Sequence, residues 1–153
     1  MMRILIEKSK RLLILLDQSG AVLLQCRVAL GGQPVGQKLL EGDGRTPEGV
    51  YYICLKRETG KFGCALGISY PSAADARQAA ADGRLPGGLL HLFESAESAQ
   101  KRPPWGTVLG GEIYIHGGGA DRDWTAGCVA LDDGNMERLF SLCGEGDRVI
   151  IRP

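Results

Sequence analysis

Long apolar runs, excess charge of either sign and histidine are all scarce in this chain, and each scarcity removes a class of protein. One aliphatic run, Leu12-Leu13-Ile14-Leu15-Leu16, stands near the amino terminus. It falls short of the ~7 to 15 residues of a secretory core and the ~20 that span a bilayer, and no small-residue cleavage site follows it. It reads as a buried strand, so neither an export signal nor a transmembrane segment is expected in the sequence as it stands. Eighteen Lys and Arg balance eighteen Asp and Glu for a formal charge of 0, which argues against a general electrostatic grip on nucleic acid. The one basic cluster, Lys8-Ser9-Lys10-Arg11, lies between two apolar runs and reads as a solvated hairpin connection. Five cysteines, an odd number without metal-type spacing, fit a reducing compartment better than a disulfide framework. No metal and no cofactor is expected. At 153 residues with 44% hydrophobic content, residues 1–153 can bury one core and are too few for two ordinary domains.

What remains is concentrated in one stretch. Ile113-Tyr114-Ile115 alternates as a strand, so His116 sits at a strand end, where a sheet can aim a side chain. Gly117-Gly118-Gly119 then turns the chain away and leaves room above the imidazole. Trp124-Thr125-Ala126-Gly127-Cys128 leads into Val129 and Leu131, which places a sulfur at the mouth of a second strand. The N–H groups of Ala126, Gly127 and Cys128 could line an oxyanion hole beside it. A free thiol has a pKa near ~8.5 and its thiolate is the nucleophile, so an imidazole able to take the proton converts Cys128 into an acyl acceptor. Most cysteines only fill space. Cys26, Cys54 and Cys143 lie in apolar runs and read as such filler, and Cys64 between Gly63 and Ala65 is less defined. His91, inside Leu89-Leu90-His91-Leu92-Phe93, reads as a packed histidine.

His116-Gly117 followed by Thr125-x-Gly127-Cys128 resembles the catalytic signature of the L,D-transpeptidases of the YkuD family. The likeness extends to Asp43-Gly44-Arg45-Thr46-Pro47-Glu48-Gly49 entering a strand and to the opening hairpin. Gly67-Ile68-Ser69-Tyr70-Pro71 with Asp75 looks like the YafK-like branch. Two positions depart: where many members carry His, and Arg or Asn, this chain has Ala126 and Ala130. The second removes a charge that could meet a substrate carboxylate. The resemblance implies that Cys128 is acylated by a peptidoglycan stem peptide at the L-centre of a diamino acid, with terminal D-Ala leaving. It also implies that the Gly117 carbonyl holds the tautomer of His116. An amine acceptor would give transpeptidation, and water would give L,D-carboxypeptidase or endopeptidase activity. Carbapenem-type inhibitors would react at the same sulfur. Tyr70, Trp124 and Thr125 are candidates for contacting the stem, although Tyr70 and Trp124 equally read as cleft packing. Trp105 reads equally as cleft lining or core cover. Asp121, Arg122 and Asp123 fix the loop or meet an acceptor, with a solvated loop face the plainer description. A wall substrate lies outside the membrane, which sits uneasily with the missing export signal.

Two other classes stay open: a catalytically silent peptidoglycan-binding module on the same fold, and a thiol redox switch with Cys64 or Cys143 as resolving partner. The fold expected is mainly β, a sandwich with one or two inserted helices and a short helix after the cysteine. Strands are expected at Ile4–Ile6, Arg11–Leu16, Ala21–Leu30, Val50–Leu55, Ala65–Ser69 and Arg148–Ile151, with the consecutive early ones forming an antiparallel meander. Gly31 to Arg45 is expected as a surface loop near the site. A helix is expected from a Ser72 cap through Ala81, with Asp75 as the capping-box acid. Leu89 to Lys101 is ambiguous between element types. Met136, Leu139, Phe140 and Cys143 fall at helical spacing.

Overall fold

A computed structural model describes residues 1–153. Its first three strands, β1 (Arg3–Glu7), β2 (Leu12–Leu16) and β3 (Val22–Arg27), form the expected antiparallel meander. Period-two alternation decides what each buries: Ile4 and Ile6, Leu13 and Leu15, Leu24 and Cys26. A second antiparallel series follows, β4 (Gly49–Gly60), β5 (Gly63–Ile68) and β6 (Tyr114–His116). The short β7 (Val129–Ala130) runs parallel to β6, and β8 (Arg148–Arg152) is the last strand.

The meander does not extend through the whole sheet. β8 inserts between the two series, parallel to β1 and antiparallel to β4, so the strand order is β3-β2-β1-β8-β4-β5-β6-β7. β4 belongs to both halves: Gly49 to Tyr52 pair with β8, and Ile53 to Gly60 pair with β5 across register shifts. Bulges of that kind bend a strand, and here they let one strand pass from layer to layer. The curled sheet also meets itself. Ala29 and Ala130 exchange two N–H···O bonds of 2.9 Å, which joins the chain beyond β3 to β7. The strand expected through Leu30 therefore ends at Arg27, because Ala29 pairs at the far edge instead.

Side chains from both halves fill one core, with Ile53, Leu66, Ile115, Val129 and Leu139 fully buried. Three helices complete the chain: α1 (Ala73–Ala81), α2 (Leu90–Ser98) and α3 (Asp133–Leu142). Ser72 caps α1 in a complete capping box with Asp75. The ambiguous apolar run is helical, entered through a 3₁₀ turn at Gly87–Leu89. Phe93 alone is buried within α2, against Ala76, Ala79, Leu85 and Leu109 in a small second core. His91 is consequently exposed rather than packed. α3 turns Met136 and Leu139 inward. No helix is long and apolar enough to cross a membrane.

Cys26, Cys54 and Cys143 are buried filler, and burial pushes their thiols up to about 11, 12 and 12. The basic connection is not a solvated turn throughout. Lys8 is 2% exposed, and its Nζ donates to the carbonyls of Gly36 (2.9 Å) and Thr46 (2.7 Å) and to Glu48 Oε2 (3.1 Å). Those three oxygens make a buried ammonium tolerable. They also tie the loop of residues 31–45 to the first hairpin.

Candidate active site

The parallel pairing of β6 with β7 sets Ile115 opposite Val129 and His116 opposite Ala130. Ile115 and Val129 enter the core, so alternation turns Tyr114, His116 and Cys128 to the other face. There His116 and Cys128 line one cavity of about 160 Å³ together with Tyr114, Ala65 and the tip of the β4–β5 hairpin.

The sulfur is half-buried. It accepts the Tyr114 N–H at 3.3 Å and directs its own proton toward the Glu112 carbonyl at 3.6 Å. Burial pushes the Cys128 thiol above its ordinary pKa, with the Tyr114 N–H opposing. Burial likewise pushes the His116 imidazole down, opposed by the Gly117 carbonyl. The resting pair is thus neutral thiol and neutral imidazole. His116 Nδ1 lies 2.6 Å from the Gly117 carbonyl oxygen. A carbonyl only accepts, so Nδ1 carries the proton and Nε2 is left as the basic nitrogen. No hydrogen bond joins sulfur and imidazole in this arrangement, and such bonds commonly tighten only when substrate is bound.

Two aromatic rings, themselves in edge contact, pack on the imidazole. Phe62 stacks on it at 4.6 Å between centroids and 15° between planes, and Trp124 meets it edge-on at 5.7 Å. Nothing in the sequence reading picked out Phe62. Its only signal is an aromatic at a hairpin tip flanked by Gly60 and Gly63. Gly117 has a steric reason to be glycine: a Cβ there would lie 2.5 Å from Asp133 Oδ1 and 3.2 Å from the Phe62 carbonyl oxygen. Asp133 also accepts the Gly118 N–H at 3.0 Å, which latches the glycine turn to the start of α3.

The segment before the cysteine is shaped by Thr125. Its hydroxyl donates to the Cys128 carbonyl at 2.7 Å and accepts the Gly127 N–H at 3.1 Å. With the side chain so engaged and 9% exposed, Thr125 positions the loop rather than meeting a ligand. The same bond removes Gly127 from the expected oxyanion donors. The N–H groups of Ala126 and Cys128 make no hydrogen bond within the chain. Gly127 contributes by closeness: at φ +145°, a Cβ would lie 2.8 Å from the Arg45 carbonyl oxygen. The glycine-rich loop of residues 31–45 therefore packs against the turn that leads into Cys128.

Tyr70 is 1% exposed with its hydroxyl donating to the Leu109 carbonyl at 2.9 Å, so it is packing and not a cleft residue. Trp105 donates to the Tyr70 carbonyl and sets its ring edge-on to Tyr114, 5.7 Å away. Trp124 is half-buried and donates from Nε1 to the Gly119 carbonyl. Of the three loop charges, Asp121 and Arg122 are exposed, but Asp123 is an anchor. It accepts Arg11 Nη2 at 2.7 Å and the Leu30 N–H at 3.0 Å, and the arginine holds its carboxyl below the usual range. All five cysteines are free. Cys64 lines a separate, larger cavity from the one that Cys128 lines.

A family model described as the L,D-transpeptidase catalytic domain, YkuD, matches residues 2–151. Among solved structures, the helical cell shape determining protein Pgp2 from Campylobacter jejuni superposes with a TM-score of 0.69 at 22% identity, over 99% of this chain and 47% of that one. Bd1075 from Bdellovibrio bacteriovorus gives 0.62 at 19% identity, over 99% and 47%. L,D-transpeptidase 1 of Mycobacterium tuberculosis gives 0.56 at 13% identity, over 98% and 60%. The chain thus spans about half the length of the first two. A comparison with curated protein sequences finds no match.

Proposed function

The chain belongs to the YkuD family of L,D-transpeptidase catalytic domains, and from that premise we propose that Cys128 is acylated by a peptidoglycan stem peptide and passes the acyl group on. The observation that carries this reading is the shared cavity, into which a sulfur and a tautomer-fixed imidazole both open. Because the resting pair is neutral, His116 Nε2 takes the thiol proton as Sγ forms its bond to the substrate carbonyl carbon. The oxyanion accepts the Cys128 and Ala126 N–H groups. Collapse breaks the bond to the terminal D-Ala nitrogen, which leaves with the proton from His116, and a thioester remains. An amine acceptor then attacks, or water does, with His116 again taking the proton. The first gives an L,D-linkage and the second a trimmed stem. The solved Ldtfm-avibactam carbamoyl enzyme, 14% identical with a TM-score of 0.59, supports testing acylating inhibitors on this chain.

Incubation with disaccharide-tetrapeptide or a carbapenem should add the acyl mass to Cys128. Cys128→Ala should abolish turnover, and His116→Ala should lower it by ~10²–10⁴-fold, with both variants folded. An unmodified Cys128 under conditions that acylate a known family member would sink the proposal. The silent-module reading draws on Ala126 and Ala130. It predicts stem-peptide binding with no adduct in the same experiment.

A further inference from the structure

We propose that Arg57 reads the carboxylate flanking the scissile bond of the donor peptide, a role that rests on the acyl-transfer reading above. Arg57 sits on β4 at the rim of the cavity that holds Cys128 and His116. Its guanidinium carbon lies 5.0 Å from the centroid of the Tyr114 ring. The other end of that residue, its backbone N–H, binds the sulfur. Arg57 is exposed and has no acidic partner and no hydrogen bond, whereas Lys8, Lys38 and Arg11 are each paired with a carboxylate. In a chain of zero net charge, an arginine without an ion pair beside Cys128 is a local feature and not part of a general field, and the opposing charge felt by Tyr114 and Cys128 is Glu112.

A second observation comes from Tyr114 itself. It is 8% exposed, and its hydroxyl is the one buried side-chain polar atom without a hydrogen-bond partner. Buried hydroxyls are nearly always satisfied, so Tyr114 is an incompletely paired wall of the cavity that Arg57 also lines. Lys61 shares the rim, but its Nζ sits over the Phe62 ring, 5.4 Å from the centroid, and it also lines the neighbouring cavity with Glu58, Asp133 and Glu137. Arg57 also has the planar fork that matches a carboxylate, and it is already laid against an aromatic face.

The chemistry makes the placement specific. In a stem that ends at the residue being expelled, the terminal carboxylate lies only a few bonds from the attacked carbonyl carbon. A cation lining the same small cavity as the sulfur is where that group must fall. Arg57 thereby supplies the charge that Ala130 does not. Since the carboxylate departs with the leaving D-Ala, Arg57 acts in acylation and not in breakdown of the thioester.

The test uses a tetrapeptide stem and the same peptide with its terminal carboxylate amidated, each titrated against Cys128→Ala protein so that binding is read without turnover. The acid should bind more tightly than the amide. Arg57→Ala in that background should weaken the acid about tenfold and leave the amide unchanged. Arg57→Lys should restore part of the difference. Equal affinity for acid and amide, equal weakening of both by Arg57→Ala, or binding of neither overturns the proposal. If the acid is preferred through Arg57 while the unsubstituted protein forms no thioester, the acyl-transfer reading fails and Arg57 stands as the anion-reading residue of a binding site.

Discussion

The hydroxyl of Thr125 fixes the backbone of the turn into Cys128, since it donates to the Cys128 carbonyl and accepts the Gly127 N–H. Thr125→Val keeps the shape and removes both bonds, leaving two main-chain groups unsatisfied at ~1–3 kcal/mol each if they stay buried. Acylation by stem peptide should fall at least tenfold in kcat with KM little changed, and Thr125→Ser should restore it. A loss confined to KM would instead make Thr125 a substrate contact. The titration of the pair follows from burial. The thiol of Cys128 is raised, so its alkylation by iodoacetamide should still be climbing with pH above ~8.5. Imidazole is the competent base above its pKa and that pKa is lowered, so kcat/KM should hold its plateau to below ~6.5 before an acid limb sets in. At this scale the sequence singled out Cys128 and His116, which the structure brings to one cavity, because thiol and imidazole are residue types that reveal themselves. It did not show that Thr125 and Tyr70 are spent on internal hydrogen bonds, since donors and partners far apart in the chain leave no local pattern.

Among elements, the β4–β5 hairpin governs the surroundings of the imidazole. β4 leaves the sheet core at Leu55 and carries Arg57 out to the cavity, which Lys61 and Phe62 reach from the turn that follows. Phe62→Ala should admit water to the stacked face of His116 and relieve the desolvation that depresses its pKa. An NMR titration of the ring should then move up toward ~6.5, and an unchanged midpoint would assign the depression to other neighbours. The strands and α1 were legible because alternation and capping are short-range signals, the Ser72–Asp75 box being the clearest. Phe62 was not legible, because its stacking on His116 depends on how two hairpins curl toward one another. The burial of Lys8 was hidden for the same reason: its three oxygens come from a loop of residues 36–48 that the meander pattern does not locate.

For the whole molecule, β8 between β1 and β4 ties the earliest strand to the last. That pairing is long in sequence and escapes any reading by neighbouring segments, so the early meander was legible and the place of β8 beside it was not. Stability should respond to alkali in a direction set by the buried thiols. Cys26, Cys54 and Cys143 keep their protons up to about 11, 12 and 12 when folded, whereas the unfolded chain releases them near ~8.5. Over that window the folded state binds more protons, so stability falls as pH rises. Lys8, lowered by its burial, works in the opposite sense as a single group. The urea midpoint should drop between pH ~8 and ~10, and the drop should shrink in Cys54→Ala. A midpoint that does not move would show that the thiols are not protected to this degree.

The Ala29–Ala130 clasp has an experimental use beyond holding the sheet. Both of its amides lie in the described hydrogen bonds, and one of them is two residues past the nucleophile. Deuterium uptake at these positions therefore gauges how often the cysteine segment breathes away from its scaffold, with no label on the sulfur. If acylation stiffens that segment, uptake at Ala29, in the chain beyond β3, should slow in step with uptake at Ala130.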